Sequence, residues 1–461
     1  MEAEVSETTR RLASFVAEMR YEEVPPAVAR YAKMIVLDTL GAMLAASSPR
    51  YSAGRILAEF ARLQGGEPES TLVGRGTRVS CVSAALANGT LGYYCDVEPH
   101  HPEAILHGAA VVVPTALAVG ERQRSSGREF LSAVILGAEV GVRVSLAIGP
   151  TALYRRGFHP SAVAGALGAA AAAGRLLGLS EEGMRRAFGL AGTQASGLLA
   201  WETDPLEHAR PFNPGIAARN GTTAALLAAL GFGGPPDVFL GKFNLFGAFS
   251  DEDARPGELT RALGQEFAIA GFAVKLYSCC AFLHPGLDAL LRILGQQRLG
   301  ADDVAEMVLR FPTSGVALID GNPLKSHCGQ YILPIAVLDR RVTIDDILHD
   351  RRSDPRVDEL SRRTRVVADD ALDGGFPARY STVVEVTTAD GRRFTERVDY
   401  ARGCPENPVT PEEVEAKFRT LAGEVAGPAV LDAICRLVGR IEELEDVREL
   451  GELLQLPGAG V

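Results

Sequence analysis

Histidine is scarce in this chain, eight residues in 461, and aromatics make up only 6%, with a single tryptophan. An interior short of large rings has to be filled by small side chains, and 49 glycines in a sequence rich in alanine favour close approach of helices. A basic excess is also missing: 47 Lys and Arg face 58 Asp and Glu, a net charge of −11. That argues against nucleic acid as a partner, because phosphate binding needs a basic surface. A small anionic substrate is still allowed, since a few cations in a cleft override the global field. Seven cysteines, at 81, 95, 279, 280, 328, 404 and 435, form no regular framework, which fits reduced thiols in a cytoplasm. The opening "MEAEVSETTRRLASF" lacks the basic and apolar regions of a signal peptide. The longest apolar stretches are interrupted, as by Asp38 or Arg175, or are too short to cross a bilayer. The expectation is a cytoplasmic protein with no membrane partner.

Chemical motifs are equally sparse. No HExxH or paired CxxC supports a metal site, and adjacent Cys279 and Cys280 do not match an iron–sulfur spacing. "SSGREF" and "GRGTRVS" are glycine-bearing turns without a phosphate-loop or dinucleotide fingerprint, and no GxSxG elbow marks a serine hydrolase. What remains is acid–base chemistry without metal or cofactor: carboxylate, imidazole, phenol and ammonium groups around a cleft.

The chain is too long for one core, so two domains are expected. Its first half reads as successive helices. Leu12, Phe15, Val16 and Met19 recur at helical spacing, and apolar segments follow near 28–47, 126–147, 160–179, 181–199 and 215–231. "SAVAGALGAAAAAGRLLGLS" combines the best helix propensity with the smallest side chain and should lie centrally. The texture changes near residue 268. "YSTVVEVTTADGRRFTERVDY" predicts two strands joined at Asp390-Gly391. Helix then restarts, with Thr410 as N-cap, Pro411 at N1 and Glu413 in the capping-box position. The reading is a helical domain over 1–267, an α+β domain over 268–407, and C-terminal helices over 408–461 with a frayed tail. Periodicity does not tell whether those last helices rejoin the first domain.

Seven of the eight histidines gather in a few polar islands, leaving His349 outside. "CDVEPHHPEAILHG" carries Asp96, Glu98, His100, His101 and His107 just before an apolar run. "GFHPSAVAG" places His159 at a helix start, where partial positive charge lowers an imidazole pKa, although such a histidine is more often a simple cap. His208 and Arg210 precede another small-residue helix. In the second domain come Lys275, Cys280 and His284, then His327 and Tyr331. Lys275 is flanked by apolar residues, and lysine is rarely buried without a task or a partner.

Taken together, the islands resemble the MmgE/PrpD family, which includes 2-methylcitrate dehydratase, cis-aconitate decarboxylase and iminodisuccinate epimerase. The matching stretches include "ANGTLGYYCDVEPHHPEAILHGAAVVVPTALAVGE", "GFHPSAVAGALGAAAAAGRLLGLS", "VKLYSCCAFLHPGLDAL" and "PENPVTPEEVEAKF", in family order along nearly the whole chain. The resemblance implies a mainly α protein: a large all-helical domain built from both chain ends, with a smaller α+β lid. It also implies a homodimer and a cleft between the domains that needs neither metal nor organic cofactor. Asp96, His107, His159, Lys275 and Tyr331 become the expected catalytic residues, and His100, Arg210 and Cys280 the expected substrate-binding ones. The sequence departs from the family pattern in four places. The loop has a glutamate and a proline where aspartates are usual, Gly108 follows His107 where proline is common, Arg210 stands where lysine is usual, and Cys280 stands where a decarboxylase relative has histidine. Arginine can hold a carboxylate but does not readily give up its proton. These changes count against cis-aconitate decarboxylase specifically. The expected activity is a lyase that dehydrates a 2-methylcitrate-like polycarboxylate, with an epimerase, isomerase, decarboxylase or inactive binding protein as alternatives. Arg210 and Lys275 would hold the carboxylate, His107 or His159 would act as base, and the other imidazole or Tyr331 as acid. Asp96 would orient an imidazole.

Overall fold

Small residues set how the body is assembled. The computed structural model describes residues 5–250 and 254–456, so the tail expected to fray lies outside the described residues. The body opens with α1 (Glu7–Glu18), α2 (Pro26–Ala46) and α3 (Ser52–Gln64). A two-stranded ribbon, β1 (Ser70–Thr71) and β2 (Arg78–Val79), leads to α4 (Cys81–Tyr94). Then come α5 (Ala109–Gln123), α6 (Gly127–Ile148), α7 (Pro150–Arg155), α8 (Pro160–Leu176), α9 (Glu181–Gly192), α10 (Ala209–Ala229) and α11 (Leu245–Phe249).

The alanine-rich α8 is the hub, packed by α5, α6, α9 and α10, and every residue in it except Arg175 is buried. A Cβ on Gly168 would sit 2.7 Å from the Gly137 carbonyl oxygen of α6, and one on Gly221 of α10 would sit 2.5 Å from the Ala166 carbonyl. Both neighbours therefore run backbone against backbone with α8. Helix α10 begins six residues before the expected 215, because Pro211 falls in the first turn, where no N–H is required. This places Arg210 inside the helix. Contrary to the sequence expectation, α6 is long and apolar enough to cross a membrane, but its apolar window is entirely buried in the body. Its Glu139 and Arg143 pair one turn apart at 2.6 Å.

The lid comprises α12 (His284–Gln296), β3 (Val304–Phe311), α13 (Thr313–Val316), α14 (Gly329–Asp339), α15 (Ile344–Leu348), α16 (Pro355–Arg362), β4 (Thr364–Ala368), β5 (Thr382–Thr388) and β6 (Arg393–Val398). Its sheet has the order β4-β3-β5-β6, with β4 parallel to β3 and the other pairs antiparallel. The hairpin turns at Gly391, whose φ of +86° suits glycine. The chain then returns through α17 (Pro411–Ala422), α18 (Pro428–Gly439) and α19 (Arg448–Leu454). Thr410 and Glu413 form the expected capping box. Helix α17 packs on α2, and its Val414, Phe418 and Ala422 belong to the same apolar core as residues 12–274. A second core spans residues 279–398. The fold is thus mainly α with an α+β second domain.

Candidate active site

The loop from Cys95 to Gly108 joins α4 to α5 and is folded onto both domains. His101 and Leu106 exchange backbone hydrogen bonds across it, while His100 exchanges a pair with Ala273, at 3.0 and 2.7 Å, where the chain crosses into the lid. Two residues beyond that crossing, Lys275 turns inward and donates to the Asp96 carboxylate and, at 3.3 Å, to the Asp96 carbonyl. At the loop's other end the His107 amide donates to Ser161 Oγ at 2.8 Å, tying it to the first turn of α8, where His159 is N-cap. Arg210 arrives from the first turn of α10. From the lid, the segment before α14 brings Ser326 and His327.

Asp96, Glu98, His159, Arg210 and Lys275 are each at most 1% exposed. Their charges explain one another. Burial alone would raise the Asp96 carboxyl, but the Lys275 ammonium and the Arg210 guanidinium overturn this and hold it well below the usual range. Lys275 is lifted in turn by Asp96 and Glu98 against its own desolvation. Glu98 Oε1 lies 2.5 Å from His107 Nδ1, and burial pushes Glu98 up to about 8, with Lys275 opposing. Burial, followed by neighbouring cations or imidazoles, drives His100, His107 and His159 well below the ordinary histidine value and His327 and His284 to about 3. Near neutral pH these are uncharged imidazoles.

The rings are layered. His107 lies against Tyr93, tilted, at 4.2 Å between centroids, and stacks with His100 at 5.7 Å and with His159 at 6.0 Å. Trp201 stands edge-on to His159 at 5.9 Å and contacts His327 at 5.5 Å. The Arg210 guanidinium lies 4.6 Å over the Tyr93 ring, and among the described residues its polar contacts are long: 3.5 Å to the carbonyls of Tyr93 and Tyr94 and 3.7 Å to Asp96. Among the described residues, buried atoms with no hydrogen-bond partner in the protein concentrate here: Asp96 Oδ2, Glu98 Oε2, both ring nitrogens of His100, His159 Nδ1, Trp201 Nε1, Glu207 Oε1 and Arg210 Nε. Unpaired buried polar atoms are costly, so such a concentration is the signature of a binding site and not of a core. No group of three or more His, Cys, Asp or Glu among the described residues is arranged to hold a metal ion.

One cavity along the seam between body and lid reaches the cluster, and another lies close by. One, of 270 Å³, is lined by His100, Lys275 and His284 together with Arg379 and Tyr380 of the lid. The other, of 250 Å³, is lined by Glu207, His208 and Lys325.

Of the residues expected from sequence, Asp96, His100, His107, His159, Arg210 and Lys275 meet in one place, and the Cys280 thiol lies beside them, pushed up to about 12 by burial. Two roles need correction. Asp96 meets cations, and the carboxylate on an imidazole is Glu98; Asp96 has a left-handed backbone, φ +50°, which changes the direction its side chain takes. The Tyr331 hydroxyl donates to the Asp346 carbonyl at 2.6 Å and accepts from the Arg351 amide at 3.2 Å. It is engaged within the lid backbone and does not join the cluster. Tyr93, Trp201, Glu207 and Ser326 were not anticipated. The one usable signal was that the chain's only tryptophan adjoins the island holding His208 and Arg210.

Two family models match this chain, the MmgE/PrpD N-terminal domain over residues 10–256 and the MmgE/PrpD C-terminal domain over residues 277–438. The chain belongs to the MmgE/PrpD family. A cis-aconitate decarboxylase of Aspergillus terreus is 27% identical over 98% of this chain and 96% of its own length. A cis-aconitate decarboxylase-like protein of Aspergillus oryzae is 30% identical, with 97% of each chain covered. A mitochondrial 2-methylcitrate dehydratase of Yarrowia lipolytica is 29% identical over 50% of this chain and 46% of its own length. In MmgE/PrpD terms, His159 and Arg210 come from the N-terminal match and His327 from the C-terminal one, and Lys275 lies between the two matched regions.

Proposed function

We propose that this protein is a cofactor-independent lyase that acts on a small polycarboxylate by moving a proton at the carbon next to a carboxylate. The observation that carries the reading is the meeting, away from water, of neutral imidazoles with two fixed cations. Removing an α-proton puts further negative charge on a carboxylate that is already ionised, and preorganised cations or donors lower the cost of that step. Arg210 has five donors and uses them only at long range, which suits it to a carboxylate of the substrate. Lys275 supplies the second positive centre. When Glu98 accepts from Nδ1 of His107, the remaining ring nitrogen is free to act as base, and His159, protonated when the anionic substrate binds and raises its pKa, is the paired acid; the reverse assignment uses the same two rings. The C–H electron pair becomes the new double bond, the C–O bond breaks toward oxygen, and the departing hydroxyl takes the acid's proton and leaves as water.

A second reading, decarboxylation, is favoured by the relatives that match along the full chain, whose names are those of cis-aconitate decarboxylases. There the C–C bond to one carboxylate breaks, CO₂ departs, the bonding pair stays on carbon, and an imidazole protonated in the complex gives that carbon its proton. Proton NMR in D₂O with 2-methylcitrate and cis-aconitate separates the cases. Loss of water from 2-methylcitrate turns its methyl doublet into a downfield singlet on the new double bond, decarboxylation of cis-aconitate gives a product with one carboxylate fewer and deuterium at carbon, and epimerisation exchanges the α-hydrogen without net loss. Binding without any of these changes makes the protein a binder and overturns the proposal. His159→Ala should lower turnover by roughly 10²–10⁴-fold while the thermal midpoint stays close to wild type. Persistent activity would remove His159 from the mechanism. The proposal includes a homodimer: among the described residues, seven of the ten large exposed apolar side chains lie between positions 198 and 243. A second copy would shield them from water. Light scattering should give twice 48.9 kDa.

A further inference from the structure

Helix α17 brings one more charged group to the site, on the far side of the 95–108 loop. The Lys417 side chain is 10% exposed, and its ammonium lies 2.8 Å from Asp38 Oδ2 on α2 and 2.7 Å from the carbonyl oxygen of Val97. Val97 stands between Asp96, which the two cations hold, and Glu98, which pairs with His107. The peptide units around Val97 therefore set the directions of both carboxylates. Asp96 occupies the left-handed region, which carries a backbone cost for a non-glycine residue, although Asp tolerates it better than most. Val97 is packed into the main core on one side only. A 490 Å³ cavity along the seam, lined by Val97, Ser278, Thr343 and Thr420 as well as Lys417, adjoins this peptide. The downstream half of the loop has its own ties, the His100–Ala273 and His101–Leu106 pairs. The upstream half has a 3.3 Å bond from the Asp96 amide to the Tyr93 carbonyl, a 3.3 Å bond from Lys275 to the Asp96 carbonyl, and the shorter Lys417 bond to Val97.

We propose that Lys417 is a positioning residue: its charge-assisted bond to the Val97 carbonyl, anchored by Asp38, fixes how Asp96 and Glu98 face Lys275, Arg210 and His107. This rests on the reading of the cluster as an active site. The bland alternative is a buried ion pair that only ties α17 to α2. The two differ in what Lys417→Met does to the site. Positioning predicts altered His107 ring nitrogen shifts in histidine-labelled protein, which is tractable with eight histidines in the chain. It also predicts a kcat reduced at least about tenfold with KM within about threefold, because misplaced catalytic groups cost rate more than binding.

An Asp38→Leu/Lys417→Met double variant removes both charges together and guards against misfolding of the single one. If it shows the same ring shifts and the same loss of kcat, the proposal stands. If it regains wild-type kcat and shifts, only an unpaired buried carboxylate mattered, and positioning is overturned. Wild-type behaviour in a folded Lys417→Met also overturns it. If the wild-type protein turns over none of the acids tested, the functional reading fails by itself, and the His107 shifts still decide whether Lys417 positions the loop.

Discussion

Removing the Tyr331 hydroxyl deletes the donor to the Asp346 carbonyl and the acceptor for the Arg351 amide. Tyr331→Phe should therefore destabilise the fold by about 1–3 kcal/mol, read from a denaturant midpoint. Turnover on any acid processed by the wild type should stay within about threefold, because the bonds lost lie in the lid backbone. A hundredfold loss of rate at unchanged stability would return the phenol to the chemistry. The same residue shows what a sequence withholds: a tyrosine in an apolar segment presents the same letters whether its hydroxyl faces a cleft or a carbonyl. The 95–108 loop was legible because histidine is scarce and a gathering of it stands out. Which of two carboxylates two positions apart meets the imidazole was not legible, since that depends on the left-handed backbone at Asp96. Tyr93 was hidden in the same way, within an apolar helix whose face toward Arg210 emerges only when α4 and α10 pack together.

Helix α8 makes a testable case at the level of the element. Replacing a mid-helix glycine by alanine ordinarily favours the helix by about 1 kcal/mol. At Gly168 the new Cβ would meet the Gly137 carbonyl oxygen at 2.7 Å and the Gly141 Cα at 3.2 Å, backbone atoms that cannot swing aside. Separating α6 from α8 costs about 1–3 kcal/mol, so Gly168→Ala should lower the thermal midpoint in spite of propensity. A raised midpoint would show that the two helices are not in backbone contact. That α8 is central followed from its composition, since alanine and glycine are affordable in bulk only where neighbours approach closely. The β5–β6 hairpin was equally readable, because Asp390-Gly391 is a local signal. Strand β4 was not. Its partner β3 lies in parallel across residues 312–363, and a pairing joined through so long a crossover leaves no mark in the alternation of a five-residue strand.

In the whole molecule, the return of α17 to α2 and the closure of the lid over the loop combine to bury a charged cluster. With the imidazoles neutral, Asp96 and Glu98 offset Lys275 and Arg210 up to the single proton that Glu98 and His107 share. Periodicity could not reveal this, because the charges come from the loop after α4, the start of α10 and the crossing into the lid. A polycarboxylate entering such a site brings more negative charge than the cluster can balance. The groups best placed to respond are His107 and His159, which burial holds neutral, and Glu98, which burial raises to about 8. A bound anion raises all three values further, so the complex holds more protons than the free protein, and affinity must fall as pH rises through the range where free Glu98 ionises. Calorimetry with cis-aconitate or 2-methylcitrate in two buffers of different ionisation enthalpy should therefore report net proton uptake. The uptake should grow, and the affinity weaken, from about pH 7 to 9. Binding that releases protons, or whose affinity rises over that interval, would mean that the anion meets a site with positive charge to spare, and the balance drawn between the two acids and the two cations would be wrong.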